Sequence, residues 1–309
     1  TEPVRPQVDG VAAILAHAER CGLDSAWVGE SYHANPETFH LPASLVVLGH
    51  LAGRTALHLG TAVLLLRAYS PERLAYEVAL LDQLCDGRLT LGVGLGSPEV
   101  AQRTGVPRTG PAGTAFDSAL ATLREAWSPG STGNNGTVVP PPVQPGGPKI
   151  LVGGKTAASV RRAATLADGY YGATNYTDDL LVSQATAFWS RRGGRPDEVT
   201  GEVATTRFCL VHEDPATARN LAGQYFKAAT DYYTARNAWA GADGPGKIEL
   251  PLVGSPDQVN ESIRRYAEAG VTSLQLRVAP HGTPREVAQH TLTLVGNEVL
   301  PAWRSGGSS

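Results

Sequence analysis

The stretch from Thr55 to Ser97 constrains the fold of this chain more than any other. It opens on an alternation at Leu57, Leu59 and Thr61, the period-two signature of a strand. Pro71-Glu72 then reads as a helix start, and Leu74, Val78, Leu81 and Leu84 recur on one helical face. Asp86-Gly87 breaks that helix, and the apolar run Leu89 to Val93 leads into Gly94-Leu95-Gly96. Strand, helix and strand of these lengths form a βαβ unit, which requires a parallel sheet. Sheets of this kind carry their chemistry at the carboxyl ends of the strands, so the small residues after each strand mark one rim.

The same rhythm runs through the rest of the chain. Strand starts fall at Ser25, Leu57, Leu89, Ile150, Gly169, Thr205 and Ser273, with helical patterns between them. The helical patterns include Val8 to Cys21, Ala115 to Trp127, Ala157 to Leu166, Asp178 to Arg191, a long stretch from Pro215 to Trp239, and Pro284 to Leu300. Seven strands are one short of a closed α/β barrel, and the chain opens on a helix. The expectation is therefore a (β/α)8 TIM barrel whose first strand is absent or truncated, with an open sheet as the alternative. Two segments, 97–113 and 128–148, interrupt the rhythm. The second is almost entirely Gly, Pro, Ser, Thr and Asn, and both read as loop insertions.

Composition narrows the function classes. The 309 residues include 26 Lys and Arg against 29 Asp and Glu, a net charge of −3, with no basic block, so a dedicated nucleic-acid surface is not expected. Cys21, Cys85 and Cys209 stand alone in regular-looking segments and read as buried thiols of a reducing compartment. No apolar run is of membrane-spanning length and no secretory signal is visible, so a cytoplasmic protein without a membrane partner is expected.

Four segments, in order, resemble the bacterial-luciferase-like family of flavin- and F420-dependent oxidoreductases. They are Ala18-Glu19 with Gly22 to Glu30; Leu59 to Val63 with Pro71, Leu74-Ala75, Leu80 to Leu84, Gly87 to Leu89 and Gly92 to Gly94; Gly153 to Thr156 with Ala167-Asp168-Gly169; and Val253 to Val259 with Ala269-Gly270-Val271. The resemblance implies one luciferase-like barrel domain over residues 1–309, forming a homodimer. It implies a flavin at the strand ends, either reduced FMN supplied by a separate flavin reductase and used with dioxygen, or the deazaflavin F420 used for hydride transfer. It also implies a cis non-proline peptide near Ala62-Val63. The leading expectation is a monooxygenase acting on a small or medium organic substrate. F420-dependent hydride transfer and a non-catalytic flavin-binding barrel are the alternatives.

Individual residues carry these expectations unevenly. Gly153-Gly-Lys-Thr156 lies between a strand and a helix, where free N–H groups meet the positive end of the helix. Spacing alone makes it an ordinary βα turn; the resemblance makes Gly154, Lys155 and Thr156 phosphate ligands. Thr61, Ala62 and Val63 with Gly94 and Gly96 suit the close approach of a planar ring, against the simpler reading of tight packing. Leu95 departs from relatives that carry a polar or basic residue there. Glu30 ends a strand, but the histidine that relatives place directly after such an acid is replaced by Ser31, and His33 arrives two positions later. Glu30, His33 and His40 are the catalytic candidates, the two histidines for acid/base work and weighed evenly against structural roles. Tyr32, Arg277 and His281 are candidate substrate contacts. Phe226, Tyr232 and Tyr233 read first as helix packing and second as a pocket wall. No metal site is expected from His33 and His40, which lack a third ligand at a supporting spacing.

Overall fold

In the computed structural model, which describes residues 4–32, 43–106, 110–129 and 138–304, parallel strands curl into an incomplete (β/α)8 barrel. The strands are β1 (Ser25–Val28), β2 (His58–Leu65), β3 (Leu89–Gly94), β4 (Lys149–Gly153), β5 (Gly169–Gly172) and β6 (Glu202–Val211). A small hairpin, β7 (Ala240–Gly241) and β8 (Gly244–Pro245), precedes β9 (Leu252–Gly254) and β10 (Ser273–Arg277). The sheet runs β1-β2-β3-β4-β5-β6-β10, every pairing parallel. Its two edges, β1 and β10, approach within 8 Å between Cα atoms, yet no ladder joins them among the described residues.

All seven predicted strands are present. β9 is an addition with a plain cause. β6 outruns its neighbour: β10 takes Ala204 to Phe208, and Cys209 to Val211 pair with β9 instead.

The helices around the sheet are α1 (Val4–Arg20), α2 (Ser44–Ala52), α3 (Pro71–Leu84), α4 (Pro98–Thr104), α5 (Ala112–Trp127), α6 (Ala157–Leu166) and α7 (Asp178–Arg192). They continue with α8 (Pro215–Tyr225), α9 (Lys227–Ala235), α10 (Pro256–Glu268), α11 (Arg285–Leu294) and α12 (Pro301–Arg304). The long pattern from Pro215 breaks at Phe226, whose fully buried ring packs 5.3 Å from Phe208 and turns the chain between α8 and α9. The predicted excursion at 97–113 contains α4, started by Pro98 and Glu99 and stopped by Gly105 at φ 70°; residues 107–109 lie outside the described residues. Of the second insertion, residues 130–137 are likewise outside. Its remainder is anchored by Gln144, whose main chain and side chain both donate to the buried carboxylate of Asp82 at 2.9 and 2.8 Å.

The opening βαβ unit shows why these residues hold the fold. Every residue of β3 is buried, and Leu74, Val78 and Leu81 of α3 cover it. Each such side chain contributes about 1.5–3 kcal/mol. Asp86 and Gly87, both at positive φ, end the helix and return the chain to the sheet. Arg88 then donates to the carbonyls of Leu57 and, at 3.3 Å, Thr55, tying the start of β3 to the start of β2. Leu84, expected on the buried face, points outward and is 58% exposed.

Candidate functional site

The carboxyl ends of β1 to β6 and β10 form one rim. Within the curl, Trp27, Ala62, Val63, Leu151, Tyr171 and Ala204 form an apolar cluster contributed by five strands. The Trp27 and Tyr171 rings lie 6.1 Å apart. A polar relay borders this cluster: the Tyr171 hydroxyl meets that of Thr206, which lies 3.4 Å from the Gln275 amide oxygen. Burial holds the Tyr171 phenol well above its ordinary pKa, so it stays protonated.

The peptide Ala62–Val63 is cis, and the β2–β3 register slips between Thr61 and Leu64. Glycines on β3 admit this irregularity. A Cβ on Gly92 would stand 2.1 Å from the Thr61 carbonyl oxygen, and one on Gly94 would meet Val63 at 2.8 Å. The Thr61 hydroxyl donates to the Gly92 carbonyl at 2.6 Å and locks the two strands together. Ala62 and Val63 keep partial exposure, while Thr61 is buried. Leu95 packs against the main core, and Gly96 turns the chain at φ 74°.

Glu30 sits just beyond β1 and is enclosed by donors. One carboxylate oxygen accepts from the Tyr69 hydroxyl, the Tyr32 hydroxyl at 3.2 Å and the Ser44 amide at 3.2 Å; the other accepts from the Leu65 amide at 2.8 Å. Three donors converge on one oxygen and one on the other, so both carboxylate oxygens are engaged. The group thus joins the ends of β1 and β2 to the start of α2. Desolvation first and the Glu30 charge second raise the Tyr69 phenol, and burial raises that of Tyr32, so both remain hydrogen-bond donors. His33 and His40 lie outside the described residues.

The loop after β4 is held from behind. The Tyr170 hydroxyl donates to the Gly154 carbonyl at 3.1 Å, and the Gln184 amide donates to the Lys155 carbonyl at 2.7 Å. In a planar trans peptide the N–H points opposite the C=O, so the amides of Lys155 and Thr156 turn away from these buried anchors. Neither finds an acceptor among the described residues. Gly154 adopts φ 144°, and a Cβ there would stand 2.3 Å from the Ser159 hydroxyl oxygen. Thr156 caps α6 by accepting the Ser159 amide at 3.2 Å, and Lys155 is exposed. Outward amides, a helix start and a lysine together fit a phosphate.

Across the rim, the Arg277 guanidinium lies 4.9 Å over the Phe208 ring and donates to the Tyr233 hydroxyl at 3.1 Å. No carboxylate pairs with it among the described residues. Phe226, Tyr233 and Trp239 form an aromatic cluster with Phe208, with Tyr232 beside Tyr233. His281 lies on the exposed turn between β10 and α11. The structure therefore brings together Thr61 to Val63 with Gly94 on adjacent strands and Gly154 to Thr156 in the loop after the next, and sets Arg277 at the end of the last strand and His281 just beyond it.

Tyr69, Tyr170, Gln184 and Thr206 were not legible as site residues, because their partners lie 14 to 39 residues away in sequence. One signal was available: Gln184 occupies a core position of α7 beside Leu180, Leu181 and Ala185, where an uncharged polar residue implies buried partners. Arg207 is another buried polar group, 2% exposed, which donates to the Ala173 carbonyl and the Tyr266 hydroxyl and so braces the loop after β5.

Comparison with known proteins places this site in context. Residues 1–273 match the luciferase-like monooxygenase family. An F420-dependent glucose-6-phosphate dehydrogenase of Nakamurella multipartita is 27% identical over 96% of this chain and 92% of its own. A monooxygenase from Streptomyces bottropensis superposes with a TM-score of 0.77 at 22% identity, over 96% of this chain and 93% of that one. The oxygenating constituent of 3,6-diketocamphane monooxygenase from Pseudomonas putida, solved with FMN, gives 0.75 at 18% identity over 97% and 94%.

Proposed function

This chain belongs to the luciferase-like monooxygenase family, and from that premise we propose that it is a flavin-dependent monooxygenase that uses reduced FMN and dioxygen on a small or medium organic substrate. The observation that carries the reading is the pair of outward amides at Lys155 and Thr156, beside the exposed ammonium of Lys155 and the start of α6. That arrangement suits the terminal phosphate of FMN. Ala62 and Val63 on β2, with Gly94 on the adjacent β3, support a planar ring one to two strand spacings from the cradle, about 5–10 Å.

When bound, reduced FMN supplies the electrons that activate dioxygen. The protein's own residues bind, orient and shield. Lys155 and Thr156 hold the phosphate, and Ala62-Val63 seat the ring. The aromatic group around Phe208 and Tyr233 restricts water on the opposite side, with Arg277 presenting a cation towards a polar or anionic substrate group. Glu30, held by four donors that include the Tyr32 and Tyr69 hydroxyls, positions the ends of β1 and β2. Proton transfer is assigned to His33 or His40. A reductase partner supplies the reduced flavin, and the protein acts as a homodimer through an apolar stripe on α3, Tyr76, Leu80 and Leu84, with Val46 on the neighbouring α2.

F420-dependent hydride transfer is the second reading, favoured by the nearly full-length similarity to F420-dependent glucose-6-phosphate dehydrogenases. The replacement of the post-strand histidine by Ser31 argues against it. Titration with FMN and F420, each oxidised and reduced, separates the two. Tight binding of reduced FMN with oxygen-dependent turnover is expected; tight F420 binding without FMN binding refutes the first reading.

A further inference from the structure

A cluster of metal-ligating side chains sits where β6 hands over to α8, outside the residues assigned to the flavin. His212 and Glu213 directly follow β6, and His290 lies on α11. The Thr291 hydroxyl accepts the Val211 amide at 3.3 Å, which pins α11 to the strand end and sets His290 beside it. His290 Nε2 is 3.0 Å from Glu213 Oε2, and His212 Nδ1 is 3.4 Å from the same oxygen. One ligand atom from each residue lies within 4.8 Å of the other two.

Two observations distinguish this cluster from an ordinary surface ion pair. The first is a proton count. His212 Nδ1 accepts the Asp214 amide at 3.0 Å, so that nitrogen carries no hydrogen of its own. It nevertheless faces a carboxylate oxygen at 3.4 Å, two lone-pair atoms with no proton between them. A cation relieves that opposition. The second is spacing. Ligand atoms bound tetrahedrally at about 2.0–2.1 Å lie about 3.4 Å apart, and the two contacts to Glu213, at 3.4 and 3.0 Å, come close to that separation.

We propose that His212, Glu213 and His290 bind one divalent transition-metal cation of the Zn²⁺ class, clamping the β6–α8 junction to α11. Two imidazoles and one carboxylate favour such ions over Mg²⁺ and Ca²⁺, which select all-oxygen sites. His212 turns its lone pair from the Asp214 amide to the ion. The Asp214 carboxylate remains engaged as the cap of α8, accepting Ala216 and Thr217 amides at 3.3 and 2.9 Å, so water completes the coordination. All three side chains are partly exposed, which leaves an entry path.

The test is calorimetric titration of tag-free, metal-stripped full-length protein with Zn²⁺, alongside visible absorption with Co²⁺ as a geometric probe. The expected result is one saturable site, with His212→Ala and His290→Ala each weakening Zn²⁺ at least tenfold, and no competition from millimolar Mg²⁺ or Ca²⁺. Zn²⁺ should also raise the melting temperature of the wild type and not of His290→Ala. Circular dichroism checks that these surface variants fold. Absence of saturable binding overturns the proposal, as does binding that survives both histidine substitutions and so belongs to other histidines.

Discussion

Replacing Gln184 by Leu tests whether the phosphate cradle depends on its buried support. The side chain is 6% exposed and makes two bonds, one to the Lys155 carbonyl at 2.7 Å and one with the Tyr170 hydroxyl. Leucine fills a similar volume and can make neither. Losing two buried hydrogen bonds at about 1 kcal/mol each, partly offset by added apolar burial, predicts a loss of about 1–2 kcal/mol of stability. The larger effect falls on ligand binding. Tyr170 still holds the Gly154 carbonyl at 3.1 Å, so the Lys155 amide keeps its direction, but the Lys155 carbonyl is released and the Thr156 amide with it. One charge-assisted hydrogen bond to phosphate is worth about 1.5–3 kcal/mol, which predicts FMN binding weaker by about 10- to 150-fold. Riboflavin, which has the ring but no phosphate, should be held as well by the variant as by the wild type. Flavin fluorescence titrations measure both constants, and urea denaturation measures the stability. Equal weakening of FMN and riboflavin, or no weakening of FMN, would refute the argument that these carbonyls orient the amides.

Other consequences are as direct. Gly92→Ala drives a Cβ into the Thr61 carbonyl and should cost about 1–3 kcal/mol by urea denaturation, whereas Gly10→Ala, on α1 with nothing among the described residues within 4 Å, should stabilise by about 0.5–1 kcal/mol. Leu80→Glu with Leu84→Glu should leave the fold intact and convert a homodimer to a monomer in analytical ultracentrifugation; an unchanged sedimentation coefficient would remove α3 from the interface. Burial pushes the thiols of Cys85 and Cys209 up to about 11 and about 12. Below pH 9 they are protonated folded and unfolded alike, so no stability is at stake there. Above it the unfolded thiols ionise first, and stability falls as pH rises towards 11–12. A urea midpoint that stays flat between pH 8 and 10.5 would contradict this, as would rapid labelling of either buried cysteine at pH 8.

The strand–helix alternation was legible because its causes are local. Period-two runs, Pro71 at a helix start and Asp86-Gly87 at a helix stop act within a few residues, and each predicted strand is present in the sheet. The rim was legible for the same reason, since a strand's carboxyl end is known once its direction is known. The cis peptide at Ala62–Val63, anticipated from the family resemblance, is also present. Other features depended on contacts no local pattern encodes. Leu84 shares the period of Leu74, Val78 and Leu81 but faces outward, because the sheet reaches only part of that helical arc. The helix from Pro215 ends at Phe226 because Phe208, eighteen residues earlier by number, takes its ring.

The sequence by itself determined a parallel α/β architecture and the edge on which small and polar residues gather. Those follow from the spacing of apolar residues and from glycine, proline and charge at element ends. The tertiary structure alone decided what each polar group is free to do. It surrounded Glu30 with four donors, turned the Lys155 and Thr156 amides outward by engaging their neighbours' carbonyls, and set His290 against His212 and Glu213 across 77 residues of chain. Hydrogen-bond saturation depends on which distant groups arrive at the same point. That is a property of packing, and spacing along the chain does not carry it.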